Sequence, residues 1–386
     1  MPDTSLTRLR VAITALFAMD GFLFAGWVVR IPDIKHQTNA SVGALGLALL
    51  GVSAGAVITM TLTGRLCRRY GTHPVTVVCA VLLSLGVALP PLTHSVVTLG
   101  AVLLVFGAAY GGLNVAFNSA AVDLVAALRR PIMSSFHAAF SLGGMLGAAL
   151  GGLVAAHLSP TRHLLGLTVI GLLVTAVAGR TLLRIDPPVA HERAEAETAA
   201  PRRLAPRTRG MVIVFGLIAL CTAYGEGAMA DWGTLHFQED LDASPGVAAI
   251  GYSSFALAMT IGRLSGTTLL ERLGRTRTVV AGGVVAAAGM LVGALAPSLW
   301  AALIGFGIAG LGLANLFPVA IERAGALAGP NGVAIASTLG YGGLLLGPPA
   351  IGFMAGWSSL PVALTSAAAL AAAAAVIGLA TRRLAP

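Results

Sequence analysis

Cys221-Thr-Ala-Tyr-Gly-Glu-Gly-Ala-Met-Ala-Asp-Trp232 is the stretch on which the fold turns. It is the second half of an apolar segment from about Met211 to Leu235, and it carries two acids, Glu226 and Asp231. A carboxylate in a segment of that length is costly wherever lipid surrounds it, so it marks a cavity or a partner. The first apolar segment contains a similar group, Asp20-Gly21 followed by Trp27. Glu226-Gly227 with Trp232 repeats the order of acid, glycine and tryptophan about half a chain later.

The composition around these stretches is that of a polytopic membrane protein. Of 386 residues, 56% are apolar and 10% charged, against about 25% charged in a soluble domain. The 49 glycines suit helices that approach closely without a hydrophobic drive between them. Cys67, Cys79 and Cys221 lie in or beside apolar segments, and their odd number gives no disulfide framework. No cleavable signal peptide is expected, because the first apolar stretch, Val11 to Ile31, exceeds an h-region of about 7–15 residues.

Segments of about 20 apolar residues cross a bilayer, and twelve are legible: roughly 11–31, 41–63, 75–92, 96–120, 134–156, 161–183, 211–235, 246–269, 277–296, 299–321, 332–355 and 360–380. Pro90-Pro91 with Thr93-His94-Ser95 separates the third from the fourth, and Pro297-Ser298 the ninth from the tenth. With both termini in the cytoplasm, 21 arginines fall inside, among them Arg65, Arg68, Arg69, Arg263 and Arg272, while Arg30, Lys35 and Arg162 fall outside. That asymmetry predicts the orientation. It also explains the net charge of +9 without a nucleic-acid partner.

The expected organisation is an N-terminal six-helix half over 1–185, a cytoplasmic linker over 186–210, and a C-terminal six-helix half over 211–386. The linker holds prolines, mixed charges and five arginines, a composition without a packed core; its basic end suits anionic lipid. An internal repeat supports the halves. Ala40-Ser41-Val42-Gly43 matches Ala243-Ser244-Pro245-Gly246, and Arg69-Tyr70-Gly71 matches Arg272-Leu273-Gly274. Gly112-Leu113 with Phe117 matches Gly312-Leu313 with Phe317, and Gly143-x-x-x-Gly147 matches Gly343-x-x-x-Gly347. Parallel six-helix repeats with a site at their interface are an architecture of secondary transporters.

Two loops make the resemblance specific. Gly64-Arg-Leu-Cys-Arg68-Arg69-Tyr-Gly71-Thr-His73 and Thr267-x-x-x-Glu271-Arg272-Leu-Gly274-Arg275 resemble the signature Gly-x-x-x-Asp-Arg-x-Gly-Arg-Arg of the major facilitator superfamily. The first copy has Arg68 where the family has aspartate; the second keeps the acid as Glu271. The resemblance implies an all-α membrane protein of twelve transmembrane helices in two six-helix repeats. It also implies that Gly64, Arg69, Gly71, Glu271, Arg272 and Gly274 take part in closing the cytoplasmic side. Trp27-Val-Val-Arg30-Ile-Pro32-Asp-Ile-Lys35 and Arg130-Pro-Ile-Met-Ser-Ser-Phe-His137 resemble a branch of bacterial inner-membrane facilitators akin to fucose–proton symporters. That kinship implies a proton-coupled acid on the first span, where Asp20 stands. The acid those symporters carry on the fourth span has no mid-span match; Asn114 and Asn118 lie there. Gly143-x-x-x-Gly147-Ala148-x-x-Gly151-Gly152 resembles the fifth-span pattern of drug–proton antiporters except at its proline. The same spacing also serves plain helix packing.

Asp20, Phe24 and Trp27 share one helix face, since steps of four and seven return to one side. Asp20 lies about ten residues, or roughly 15 Å, into its span, and desolvation there suits a proton carrier. Its alternative role is a structural hydrogen bond to a neighbouring helix. Glu226 lies between Gly225 and Gly227, where irregular backbone can line a cavity. These two acids are the expected proton-coupling groups, facing a central cavity. Expected solute contacts are Phe24, Trp27, Arg30, Tyr110, Asn114, Asn118, His137, Ser141, Tyr224, Asp231, Trp232, Asn315 and Tyr341. Tyr110, Asn114 and Asn118 form a stripe of period four, and His137 and Ser141 a similar step. Trp27, Trp232 and Tyr252 equally suit interfacial aromatic belts, and Asp231 a solvated interface.

Gly305-Phe-Gly307-Ile-Ala-Gly310 spells a dinucleotide fingerprint without a preceding strand. Gly51-Val-Ser53-Ala-Gly55 spells a nucleophile elbow in mid-span without its strand-turn-helix context. No phosphate-binding loop and no zinc-type spacing is present in the sequence, so neither metal nor cofactor is expected. The reading is a proton-linked secondary transporter of a small organic solute, monomeric in the bacterial inner membrane. Its rivals are a transport-inactive membrane sensor and an intramembrane serine hydrolase built on Ser53 and His137.

Overall fold

A computed structural model describes residues 4–40, 42–155, 157–188, 204–243 and 245–383. Among these the regular structure is helical, without strands. The helices are α1 (Thr4–Val28), α2 (Ile31–Gln37), α3 (Val42–Tyr70), α4 (Thr72–Gly86), α5 (Val96–Leu128), α6 (Met133–Ala155), α7 (Pro160–Arg184), α8 (Pro206–Glu239), α9 (Pro245–Leu273), α10 (Arg275–Leu295), α11 (Leu299–Leu313), α12 (Leu316–Trp357) and α13 (Leu360–Ala380). Ten helical stretches among the described residues are long and apolar enough to cross a membrane. One of them, Leu299–Trp357, has 59 residues, about 88 Å at 1.5 Å per residue, and so supplies two crossings. The 29-residue α9 completes the twelve-helix architecture. Exposed Leu47, Ile58, Leu82, Val177, Leu264 and Phe353 give the surface the apolar character that lipid requires.

Local chemistry sets the boundaries. Pro90–Leu92 forms a 3-10 turn, and the Ser95 hydroxyl accepts from the Thr98 amide in a capping box that opens α5. The Ser159 and Ser298 hydroxyls accept from the amides of Arg162 and Ala301 and so cap α7 and α11. Each side-chain oxygen satisfies one of the orphan amides of a helix N-terminus.

Several expected boundaries move. Arg65, Arg68 and Arg69 sit in the last turns of α3 rather than in a loop, where cationic side chains favour the negative helix end and extend their heads to water. Pro206 opens α8, so the end of the expected linker is helical; residues 189–203 lie outside the described residues. The tenth and eleventh spans meet with only Ala328 (φ −142°) and Gly329 (φ 54°) out of helical geometry, in place of the expected ten-residue gap.

The backbone carries the repeat more completely than the sequence does. Left-handed φ values among the described residues fall at Asn39, Gly71 and Arg129 in the first half and at Asp242, Gly274 and Gly329 in the second. The first two pairs keep the offset of the Ala40/Ala243 match, and the third keeps that of Gly112/Gly312. Gly71 (φ 89°) and Gly274 (φ 79°) each link two long helices through a conformation that side chains with a β-carbon resist.

By contacts the chain divides into two units, one of Met1–Arg129, Phe136–Ala205 and Ala328–Ala334, the other of Arg130–Ser135, Pro206–Leu327 and Ile335–Pro386. Each has the same close helix pair. In the first, a β-carbon at Gly143 or Gly147 of α6 would run into the carbonyl oxygens of Ala18 and Phe22 on α1. In the second, Gly343 of α12 lies against Leu220 of α8 in the same manner. The Gly-x-x-x-Gly pattern is thus a packing device within each half. Gly143→Val is expected to cost about 1–3 kcal/mol or more by overpacking, read as a lower unfolding temperature in detergent; an unchanged temperature would show that the α1–α6 approach is loose.

Candidate functional site

In the first unit an aromatic cluster is built on α1, α5 and α6. Phe17 packs on Phe117 (centroids 3.8 Å apart), Phe136 (5.5 Å) and His137 (5.4 Å). Phe24 stacks on Tyr110 at 5.0 Å, and Trp27 tilts against Phe106 at 6.3 Å. Phe17 opposite Phe117 and Phe24 opposite Tyr110 fix an antiparallel register that sets Asp20 at the level of Asn114. Asp20 is 0% exposed, and among the described residues neither carboxylate oxygen has a hydrogen-bond partner. A buried polar group without a partner is expensive, and such groups persist where function needs them. Asn114 and Asn118 are buried, with the Asn118 amide nitrogen donating to the Asn114 carbonyl at 2.7 Å. Asn118 Oδ1 is buried without a partner among the described residues. Half-buried Ser141 donates to the His137 carbonyl at 3.1 Å.

Arg30 does not stand among these groups. It is 1% exposed and its N–H donors are committed to the protein. Nε donates to His163 Nδ1 at 2.9 Å, Nη1 to Asp33 and the Ala155 carbonyl, and Nη2 to the carbonyls of Leu158 and Val154. Three of those acceptors are carbonyls at or just beyond the end of α6, so Arg30 clamps that end to the start of α2. Arg30→Lys keeps the charge and loses the fork. Leaving two or more buried acceptors unpaired costs about 1–3 kcal/mol each, so a marked fall in unfolding temperature is expected; a stable Arg30→Lys variant with altered solute binding would instead make Arg30 a solute contact.

The second unit holds an ion pair in mid-span. Arg263, 7% exposed on α9, places Nη2 3.1 Å from Glu226 Oε1 on α8. Glu226 keeps 29% of its side chain exposed. Arg263 Nε approaches the Ala314 carbonyl at 3.4 Å, and the amide nitrogen of Asn315 donates to the Gly262 carbonyl at 3.0 Å. Ala314 and Asn315 form the break between α11 and α12. The pair therefore sits at the carboxyl end of an interrupted helix, where the helix dipole favours a cation. Asn315 Oδ1 is buried without a partner among the described residues. Arg263 is no cytoplasmic loop residue: it lies ten residues before the end of α9, about 15 Å along the helix.

Around this centre, Tyr224 is buried with its hydroxyl 2.9 Å from Ser366 Oγ. Trp232 is half-buried with Nε1 unpartnered among the described residues, Tyr341 is half-buried, and Asp231 is exposed. The side chain of Tyr252 lies outside the described residues. Towards the end of α8, His236 sets Nδ1 2.8 Å from Asp240 and Nε2 3.1 Å from the Gly293 carbonyl, tying α8 to α10.

Of the expected closing groups, Glu271 pairs with Arg130, whose Nε and Nη2 approach one carboxylate oxygen at 2.9 and 2.8 Å. Arg272 is exposed, and Arg69 lies over the Tyr70 ring at 5.2 Å. Gly64 is buried against Pro330, Asn331 and Ala334. Sequence reasoning missed three buried charges. Arg263 is one, although it stood inside its own apolar span. Glu322 is another, accepting from Arg275 Nε at 2.7 Å, and Asp123 near the end of α5 is the third. The two acids lie beyond the ends of the expected fourth and tenth spans, and only the true helix lengths reveal them as buried.

The family model of the Major Facilitator Superfamily matches residues 11–232 and 216–386. An uncharacterised MFS-type transporter of Yersinia pestis is 34% identical over 358 residues, 92% of this chain and 91% of the relative. Among solved structures, the fucose:proton symporter of E. coli superposes with a TM-score of 0.74 at 17% identity, covering 96% of this chain and 97% of that one. A proton:xylose symporter gives 0.79 at 14% identity, covering 100% and 97%. These likenesses agree with the twelve helices and the repeat, and they set aside the serine hydrolase reading: this chain is a multi-pass secondary transporter, not an enzyme, and it belongs to the major facilitator superfamily.

Proposed function

We propose that the protein couples proton movement to the movement of a small organic solute across the bacterial inner membrane, with Asp20 and Glu226 as the proton carriers, one in each half. The observation that supports this most is Asp20 itself, wholly buried, with both carboxylate oxygens unpartnered among the described residues. A carboxylate whose hydration differs between two conformations binds its proton differently in each, and a ligand biases a two-state equilibrium only through differential affinity. The protein acts as a monomer with both termini and the 186–210 segment cytoplasmic, as the arginine asymmetry implies. Phe24, Trp27, Tyr110, Asn114, Asn118, His137, Ser141, Tyr224, Trp232, Asn315 and Tyr341 supply the solute contacts. The test is solute-dependent proton flux in proteoliposomes, screened with sugars, nucleosides and antibiotics. Flux in step with solute entry marks symport and flux opposed to it antiport; solute movement without proton flux sinks the reading.

Glu271 and Arg130 are assigned to holding the cytoplasmic side closed. Both are exposed, so the pair contributes up to about 1 kcal/mol, about fivefold in a two-state ratio. Glu271→Gln is expected to leave the unfolding temperature unchanged and to raise labelling of a cysteine placed in the inner vestibule by up to that factor. Unchanged labelling would leave the pair a surface contact.

A further inference from the structure

We propose that Arg263 is the binding residue for a solute that carries a carboxylate, which takes the place of Glu226 on the guanidinium when Glu226 takes up a proton. The inference rests on the reading of Glu226 as a proton carrier and adds the chemical class of the solute. An arginine does not give up its charge in a protein. Opening the Glu226–Arg263 contact leaves no new uncompensated charge when the acid is protonated and another anion arrives. Charges left alone in a membrane interior are costly, and breaking one partner of a buried pair is strongly unfavourable. The exchange balances: a proton from water binds the Glu226 carboxylate, the Glu226–Arg263 contact breaks, and the solute carboxylate forms the new contact. The site is neutral before and after, and the load is one proton with one anion, also neutral.

The geometry suits this. The Nε edge of Arg263 is held against the Ala314 carbonyl at the helix break, while Nη2 faces Glu226. The Nη2 contact with Glu226 is the one an incoming anion replaces, and a guanidinium matches a carboxylate in geometry and charge. Glu226 is the more accessible partner, its side chain 29% exposed against 8% for that of Arg263. Asn315, whose buried Oδ1 has no partner among the described residues at the same break, offers an acceptor for a solute hydroxyl or amine.

The test uses the full-length protein in detergent and small carboxylates (acetate, lactate, succinate, benzoate, glucuronate), each beside its amide. At least one carboxylate is expected to raise the unfolding temperature in a saturable way that its amide does not. Its affinity is expected to rise on acidification, because proton uptake and solute binding are linked. Arg263→Gln removes the response. Arg263→Lys, which keeps the charge, weakens it, and serves if the glutamine variant does not fold. Glu226→Gln keeps the response and loses its pH dependence. No response to any carboxylate, or an equal response to the amide, overturns the assignment, as does an undiminished response in Arg263→Gln. An amide response whose pH dependence vanishes in Glu226→Gln overturns the carboxylate site and leaves the proton reading standing. A carboxylate response without pH dependence in the wild type overturns the exchange and, with it, Glu226 as proton carrier.

Discussion

Arg263→Ala is expected to destabilise the protein by about 3 kcal/mol, because removing one partner of a buried pair leaves the other charge uncompensated. Glu226 keeps partial access to water, which holds the loss near the lower end of that class. The double variant Glu226→Gln, Arg263→Gln removes both charges and is expected to recover much of the loss. The coupling energy between the two sites should exceed about 1 kcal/mol in a double-mutant cycle. Unfolding in mild detergent measures all four proteins of the cycle. Additive losses would mean that the 3.1 Å contact carries no interaction of consequence. The cycle also separates this pair from Arg130–Glu271, whose exposed geometry predicts a coupling near the surface range of about 0.2–1 kcal/mol.

Asp20→Asn and Glu226→Gln keep side-chain shape and remove titration. Each is expected to abolish proton-driven accumulation while leaving solute exchange partly intact. Every tenfold of accumulation corresponds to about 1.4 kcal/mol, and without a titrating acid that ratio falls to one. The two variants should differ in stability. Asp20 has no donor to lose among the described residues, and an amide there leaves folding unharmed. Glu226→Gln removes the carboxylate that Arg263 pairs with at 3.1 Å and lowers the unfolding temperature. If both amide variants still accumulate solute against a gradient with normal pH dependence, the acids are structural and this mechanism is wrong.

The fold was legible because lipid imposes simple rules. Apolar length, the arginine asymmetry and the recurring Arg-x-Gly loops lead to twelve helices in two repeats. The helix ends were less legible, since arginines such as Arg65 and Arg69 ride on the last turns of α3 and a hydropathy window stops before them. The candidate site was half legible. An isolated acid in an apolar run announces itself, and Asp20 and Glu226 did so. The partner of Glu226 did not, because Arg263 is 37 residues away and a lone arginine near a span end reads as an orientation signal. Arg30 shows the converse. In a loop next to Trp27 it resembles a solute contact, yet it spends its donors on the carbonyls that end α6 and on His163. Which backbone groups a helix end leaves unpaired is a tertiary fact, and no local pattern carries it. The close pairing of α1 with α6 and of α8 with α12 was open in the sequence between a transport motif and packing; the carbonyls facing Gly143 and Gly343 decide for packing.

Infrared difference spectroscopy tests the central claim most directly, because it needs no solute. The carbonyl stretch of a protonated carboxylic acid lies apart from that of a carboxylate, so acids that exchange protons show as a band that grows and fades with pH. The purified wild type is expected to show such bands, with one component missing in Asp20→Asn, another in Glu226→Gln, and both missing in the double variant. Spectra from wild type and double variant that coincide at every pH would show that neither acid exchanges a proton, and would contradict the account.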